Sequence, residues 1–368
     1  MEQINKTRRE ITMNLLFITR KIDKNDALAG FTYQWVSKFA EKVDTLNVIC
    51  LEKGDISGLP ETVKIFSLGK ERRVGKLRKF WNFQKYAFQF VKKSDGIFCH
   101  QNPIYTILIA SWAKLYRKKI VTWYTHGKVG FQLRLVNLLA DVILTASPES
   151  FRLPSKKVIV TGHGIDTDFF RPVPTTSHKP QATSYKILSI GRISPVKDYE
   201  TLIEAINILV NKNNIKNIQV NIIGAPGLKT QEDYLKKLKD EVENKNLSDY
   251  ISFLGPKPYP ELPWHYQECD LFVNLSRTGS VDKAVLEAMA CGKIVLTSNE
   301  AFADILKDKG AYLMVKPRVA EDLAEKIIAI MNLSENARQD LGRKLREEVI
   351  KNHNLDKLIE KITRVFKE

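Results

Sequence analysis

The sequence predicts an α/β protein of two doubly wound parallel sheets, one after the other along the chain, facing each other across a cleft. Three observations lead there. Short β-branched or apolar runs alternate with longer segments of helical period throughout. That alternation breaks once, at RPVPTTSHKPQATS (171–184), where three prolines and a cluster of Ser and Thr end any periodicity, and then restarts. At 368 residues the chain is longer than one hydrophobic core serves well.

In the first half the runs are NLLFIT (14–19), LNVICL (46–51), VKIFSL (63–68), GIFCH (96–100), KIVTWYTH (119–126) and DVILTA (141–146). Phe31, Trp35, Phe39 and Val43 recur every fourth residue between the first two and mark a helix. After the break come YKILSIG (185–191), IQVNIIG (218–224), YISFLG (250–255), DLFVNLS (270–276) and KIVLTS (293–298). Helical segments lie at 200–211, 231–245, 283–291 and 320–332. Strand, helix, strand in succession implies parallel pairing with helices on both faces. The expected domains are 1–175 and 185–350, with 351–368 as a terminal helix able to pack back on the first domain. Its apolar residues at 355, 358, 359, 362, 365 and 366 form one stripe to bury. Three strands of the second half end in glycine, as where a chain turns tightly beside a ligand.

Composition narrows the function. A hydrophobic fraction of 43% and a charged fraction of 27% are those of a globular chain, and no stretch approaches the roughly 20 apolar residues of a membrane span. The start, MEQINKTRREITM, is polar and unlike a secretory signal, so the chain is expected in the cytoplasm. Four single cysteines and six histidines show no metal-ligand spacing, and no metal is expected. Net charge is +16, but residues 1–180 hold 30 Lys and Arg against 15 Asp and Glu, and the remainder 28 against 27. An anionic surface or substrate on the N-terminal side is the natural partner.

Two segments carry chemistry. In GRISPVKDYETLIEAI (191–206), Gly191 closes a strand, Arg192 and Lys197 lie in the turn, and a helix begins near Asp198. Two cations beside a helix N-terminus suit a diphosphate, although the same residues also suit a solvated turn. In SRTGSVDKAVLEAMACGKIVLTS (276–298), a small polar loop precedes a helix bearing Glu287. A carboxylate there can accept both hydroxyls of a ribose while loop amides face a sugar; it can equally complement the helix dipole.

Together these segments resemble the retaining GT-B glycosyltransferases of family four (glycosyl transferases group 1), with their Gly-Arg, a Lys several residues on, and L-E-A-M-A-x-G. The resemblance extends to VTGHGIDTDFFRP (160–172) and FLGPKPYPELPWHYQECDLFVNLS (253–276), and more loosely to Ala29-Gly30 and Thr125-His126-Gly127. It implies two Rossmann-like domains and a nucleotide-diphosphate sugar of UDP or GDP type as donor, with no further cofactor. Gly191, Arg192 and Lys197 would hold the diphosphate, Glu287 the ribose, and Gly255 and Lys257 would pass near the base. Gly30 would also approach the donor. The loop Gly279, Ser280 and Val281 would face the sugar, with His126 opposite. Sequence physics agrees that an imidazole at a strand end can serve as acid or base, and a buried core histidine is the alternative. The family's usual glutamate eight positions before Glu287 is here Gly279, so Ser280, Asp282 and Lys283 are candidates to act in its place, Asp282 being equally a plain N-cap. Asp166-Thr167-Asp168 has the spacing of a metal-binding pair but reads as structural.

Residues 70–93, KERRVGKLRKFWNFQKYAFQFVKK, place Val74, Leu77, Trp81, Phe88 and Val91 near one side of a helix with Lys and Arg over much of the rest. Such a helix either lies on an anionic membrane or packs its stripe on the sheet. The first option makes the chain a peripheral enzyme acting on an acceptor glycan or lipid-linked saccharide at the inner face of the membrane. A basic nucleic-acid-binding protein and a GT-B-like sugar-nucleotide epimerase or phosphorylase are the other readings; no nucleic-acid motif occurs.

Overall fold

The computed structural model describes residues 13–173 and 184–368, so most of the linker expected at 171–184 lies outside the described residues. The first sheet has seven strands: β1 (Asn14–Ile22), β2 (Thr45–Lys53), β3 (Val63–Ser67), β4 (Gly96–His100), β5 (Lys119–Trp123), β6 (Val142–Thr145) and β7 (Val158–Val160). Their order is β3-β2-β1-β4-β5-β6-β7, and all pairs are parallel. The second sheet has β8 (Tyr185–Ile190), β9 (Ile218–Ile223), β10 (Ile251–Gly255), β11 (Leu271–Asn274) and β12 (Ile294–Thr297), in the order β10-β9-β8-β11-β12, again parallel.

Helices α1 (Gly30–Ala40), α2 (Lys76–Val91), α3 (Pro103–Leu115) and α4 (Phe131–Leu139) accompany the first sheet. Helices α5 (Tyr199–Asn207), α6 (Glu232–Asn244), α7 (Leu262–Glu268), α8 (Lys283–Ala290), α9 (Ala303–Leu306) and α10 (Ala320–Met331) accompany the second. Two more follow, α11 (Glu335–Asn352) and α12 (Leu355–Val365). Strands β4 and β12 are buried at every residue, which is why their sequences run apolar rather than alternating. One face of the first sheet packs Phe17, Phe98 and Trp35 into a buried aromatic cluster. The other face packs Ile18, Phe83, Ala87 and Ile109.

In each sheet the chain builds outward one way, then returns to the centre and builds the other way: after β3 it returns to lie beside β1, after β10 beside β8. Crevices open at such reversals, between β1 and β4 and between β8 and β11, outside the carboxyl ends of the strands.

The terminal helix α12 crosses to the first domain. Ile165 and Asn354 form an isolated bridge, and Lys38 pairs with Asp356 at 3.2 Å. Gly96 and Gly164 leave the room that Phe366 and Leu358 fill; a Cβ on Gly96 would stand 2.2 Å from the Phe366 ring.

The aromatic helix corrects the expected stripe. Lys70 to Val74 form the turn before α2, and the face that packs is Phe83, Ala87, Phe90 and Val91. Leu77, Trp81 and Phe88 point to solvent, at 79%, 67% and 61% exposure. The helix carries two apolar stripes, and only one fits the sheet.

Candidate active site

A cavity of about 750 Å³ lies where the crevices of the two domains face each other. Its walls come from the end of β1 (Thr19, Arg20, Lys21), the turn before α1 (Leu28, Ala29), the turn after β4 (Gln101, Asn102), the segment Tyr124 to Leu133, and Arg192 and Lys283 of the second domain. Five cations and no carboxylate line it. Lys21 is already neutralised by Asp23, Asp26 and Glu52 at 3.3, 2.6 and 3.0 Å. Arg20, Lys128, Arg192 and Lys283 form no ion pair among the described residues. A cavity of that composition attracts an anion.

A smaller slot of about 190 Å³ adjoins the glycine ends of the second sheet. Ile190, Gly191, Ile223, Gly224, Pro256 and Lys257 line it, with Leu28 from the first domain. Here the glycines are required: Gly224 has φ of +148°, and a Cβ on it would sit 1.8 Å from the Gly191 carbonyl oxygen. Gly255 has φ of +70° with open space beside it. The result is a narrow, largely apolar gap of the kind a planar ring enters.

The structure separates the two cations of the Gly-Arg segment. Arg192 reaches the cavity, its stem lying against Gly227. Lys197 turns inward instead: its Nζ pairs with Asp282 at 2.9 Å and donates to Ser276 Oγ at 3.2 Å, both charged side chains mostly covered. Asp282, a candidate for the sugar, is therefore engaged by Lys197. No side-chain capping bond from it to α8 is present.

Lys283 opens α8 and crosses to the first domain, its ammonium over the Phe31 ring. Lys283 and the Phe31 ring both line the cavity. Desolvation lowers its pKa from 10.5 to about 7, against the opposing pull of Glu287 and Asp282.

Glu287 is 4% exposed and lines neither cavity. Tyr266 donates to its Oε2 at 2.8 Å and Tyr259 to its Oε1 at 3.4 Å, while burial raises the carboxyl pKa. A ribose ligand at this position would have to share the carboxylate with two tyrosines. Gly30 likewise faces protein, packing on Tyr259.

His126 lies on the cavity wall, exposed, its Nδ1 accepting from the backbone N–H of Lys128 at 3.1 Å. That bond leaves the proton on Nε2, free to donate. In the loop before α8 Gly279 has φ of +63°, the Ser280 carbonyl accepts from Asn299 at 2.8 Å, and Val281 is buried; none of the three lines the cavity.

Asp166 accepts from the N–H groups of Asp168 and Phe169 at 3.1 and 3.0 Å, which makes it a turn-closing residue. No metal-binding group of three or more His, Cys, Asp or Glu occurs among the described residues. Sequence reasoning missed Arg20, Gln101, Asn102, Tyr124 and Lys128. Their place offered a signal, Arg20, Gln101, Asn102 and Lys128 just after strand runs and Tyr124 near the end of one, where a loop faces the cleft.

Two parallel α/β domains with an anion-attracting cavity between their facing crevices define the GT-B class. Anabaena HepE in complex with UDP and glucose superposes with a TM-score of 0.77 at 16% identity, over 97% of this chain and 100% of that one. Residues 175–352 match the family described as Glycosyl transferases group 1. Mannosylfructose-phosphate synthase of Agrobacterium fabrum is 26% identical over 41% of this chain and 36% of its own length. The putative colanic acid biosynthesis glycosyltransferase WcaL of Escherichia coli is 26% identical over 53% and 47%. The matches thus span less than half of each of these relatives.

Proposed function

We propose that the chain transfers a hexose from a nucleotide-diphosphate sugar of UDP or GDP type to a glycan acceptor, with retention of anomeric configuration. The observation that carries the reading is the cavity at the two facing crevices, lined by no carboxylate and by four cations that form no ion pair among the described residues. The base enters the slot beside Gly191 and Gly224. The diphosphate meets Arg192, and Lys283 takes a proton as an anion arrives beside it. As the sugar–oxygen bond breaks, negative charge grows on the diphosphate, and these preplaced cations stabilise it more in the transition state than in the ground state. Lys197 holds Asp282 and so shapes the loop that bounds the sugar. His126 donates through Nε2 to the sugar from the opposite wall. Retention rests on the family resemblance.

The acceptor approaches from the basic N-terminal side, and a lipid-linked saccharide fits it. Leu77, Trp81 and Phe88 form an exposed apolar stripe on α2, and Lys76, Arg78, Lys79 and Lys85 form no ion pair among the described residues. That is the arrangement of an interfacial helix, which makes the enzyme peripheral on an anionic leaflet. No helix among the described residues is long and apolar enough to cross a membrane.

Thermal denaturation with a panel of UDP, GDP, ADP and CDP sugars tests the donor. One donor class raises Tm; a flat response across the panel refutes the reading.

A further inference from the structure

We infer that Glu300, clamped by Arg152 from the opposite domain, is the carboxylate that reads the hydroxyls of the transferred sugar. The inference rests on the nucleotide-sugar reading and names the group at its sugar end.

Arg152 follows β6 in the first domain, and its Nη2 donates to Glu300 Oε1 at 3.0 Å, just beyond β12 in the second. Arg152 Nε also donates to the Glu149 carbonyl at 3.2 Å. The pair stands across the gap between two glycines. A Cβ on Gly279 would meet Arg152 Nη2 at 2.6 Å and Glu300 Oε1 at 3.0 Å, and one on Gly127 would meet Arg152 Nε at 3.3 Å. Gly127 adjoins His126, and Gly279 opens the loop to Ser280 and Asp282. The Glu300 carboxylate therefore occupies the place a side chain at position 279 would fill.

Stability does not explain the arrangement. The two side chains are 49% and 70% exposed, and ion pairs so exposed contribute little to folding. The backbone beneath is firm: Asn299 is buried, donates to the Ser280 carbonyl at 2.8 Å and accepts from the Ala301 N–H at 3.1 Å. Glu300 is thus fixed relative to the sugar loop while its oxygens stay open.

Acceptor capacity singles it out. A sugar ring presents hydroxyl donors and the cavity's charged groups are all cations, so an acceptor must come from beside it. Arg152, which like Glu300 is not part of the lining, lies against Gly127 next to the wall residue His126. Of the three second-domain carboxylates around the loop, Asp282 is engaged by Lys197 and Glu287 by Tyr266 and Tyr259. Glu300 alone of these three keeps most of its lone pairs free, with Arg152 holding its orientation.

Titration calorimetry with UDP, GDP, UDP-glucose and GDP-mannose tests this on the wild-type chain, on Glu300→Ala and on the swap Arg152→Glu with Glu300→Arg. Glu300→Ala is expected to weaken the nucleotide sugar that the wild type binds by about tenfold, the loss of a charge-assisted hydrogen bond, while the parent nucleoside diphosphate changes by less than about twofold. The swap rebuilds an ion pair but moves the carboxylate, and is expected to remain weak for the nucleotide sugar. Unchanged nucleotide-sugar affinity in Glu300→Ala overturns the inference, as does recovery in the swap, which would mark a mere interdomain latch. A wild-type chain that binds none of the four refutes the nucleotide-sugar reading itself and the inference with it.

Discussion

Tyr259 of the second domain fills the space that a side chain on Gly30 of the first would need: a Cβ at Gly30 would stand 2.3 Å from the Tyr259 Cβ. The same tyrosine donates its hydroxyl to Glu287 at 3.4 Å. The closed cleft therefore depends on a missing side chain at the first residue of α1.

Gly30→Ala should favour α1 locally, since alanine suits a helix by about 1 kcal/mol over glycine. It should nevertheless cost about 1–3 kcal/mol of domain closure through overpacking. The expected outcome is a roughly tenfold lower kcat/KM with Tm little changed, and a larger radius of gyration by X-ray scattering. A fully active variant with unchanged radius would show that the two domains tolerate separation here.

Lys283 gives a pH dependence. Its pKa is about 7 in the folded protein and 10.5 when exposed, so between those values the unfolded chain holds more protons. Stability from this group is therefore lowest below about pH 7 and rises as pH climbs toward 10. Affinity for a nucleoside diphosphate should move the opposite way, falling over that range as the ammonium is lost. Lys283→Met should flatten both profiles, measured by urea denaturation and calorimetry.

The Lys197–Asp282 pair is mostly covered, at 11% and 18% side-chain exposure. Asp282→Ala leaves a covered ammonium unpaired and should destabilise by about 3 kcal/mol. Replacing both residues, Lys197→Met with Asp282→Leu, should cost less than the single change. Additive losses in urea unfolding would argue that the two side chains do not act as a pair.

Glu287→Ala would strand the Tyr266 and Tyr259 hydroxyls in the core. At about 1–3 kcal/mol for each unsatisfied group, the variant should melt several degrees lower. If Glu287 also serves the ribose, affinity for the nucleoside diphosphate falls in the folded variant while inorganic pyrophosphate is unaffected.

On α2, Trp81→Glu with Phe88→Glu alters mostly exposed side chains, giving up only ring-edge contacts with Phe80 and Trp112, and should lower Tm by no more than a few degrees. Sedimentation with anionic vesicles should drop by an order of magnitude or more. Equal sedimentation of the variant would remove this helix as the membrane contact.

Much of the fold was legible because buried parallel strands must run apolar and their crossover helices must show period 3.6. Runs such as GIFCH and KIVLTS carry that signal directly. Strand β7, three residues with an exposed second half, and α11, where only Leu341, Gly342, Leu345 and Val349 are buried among many charges, carry too little of it to be seen.

The site divides along the same line. The sequence by itself determined that a Gly-Arg turn and a small polar loop sit at strand ends in the second half, because glycine and charge at those places have few other uses. It also determined that the basic excess lies in the first half. Only the tertiary structure decided which charges remain available. Lys197 and Asp282 lie 85 residues apart and satisfy each other; Glu287 is taken by tyrosines 21 and 28 residues away; and Arg152 reaches Glu300 across 148 residues. Pairing depends on distance in space: a covered carboxylate met by its neighbours, as at Asp282 and Glu287, is not free for a ligand, whereas the exposed Glu300 keeps open oxygens beside Arg152.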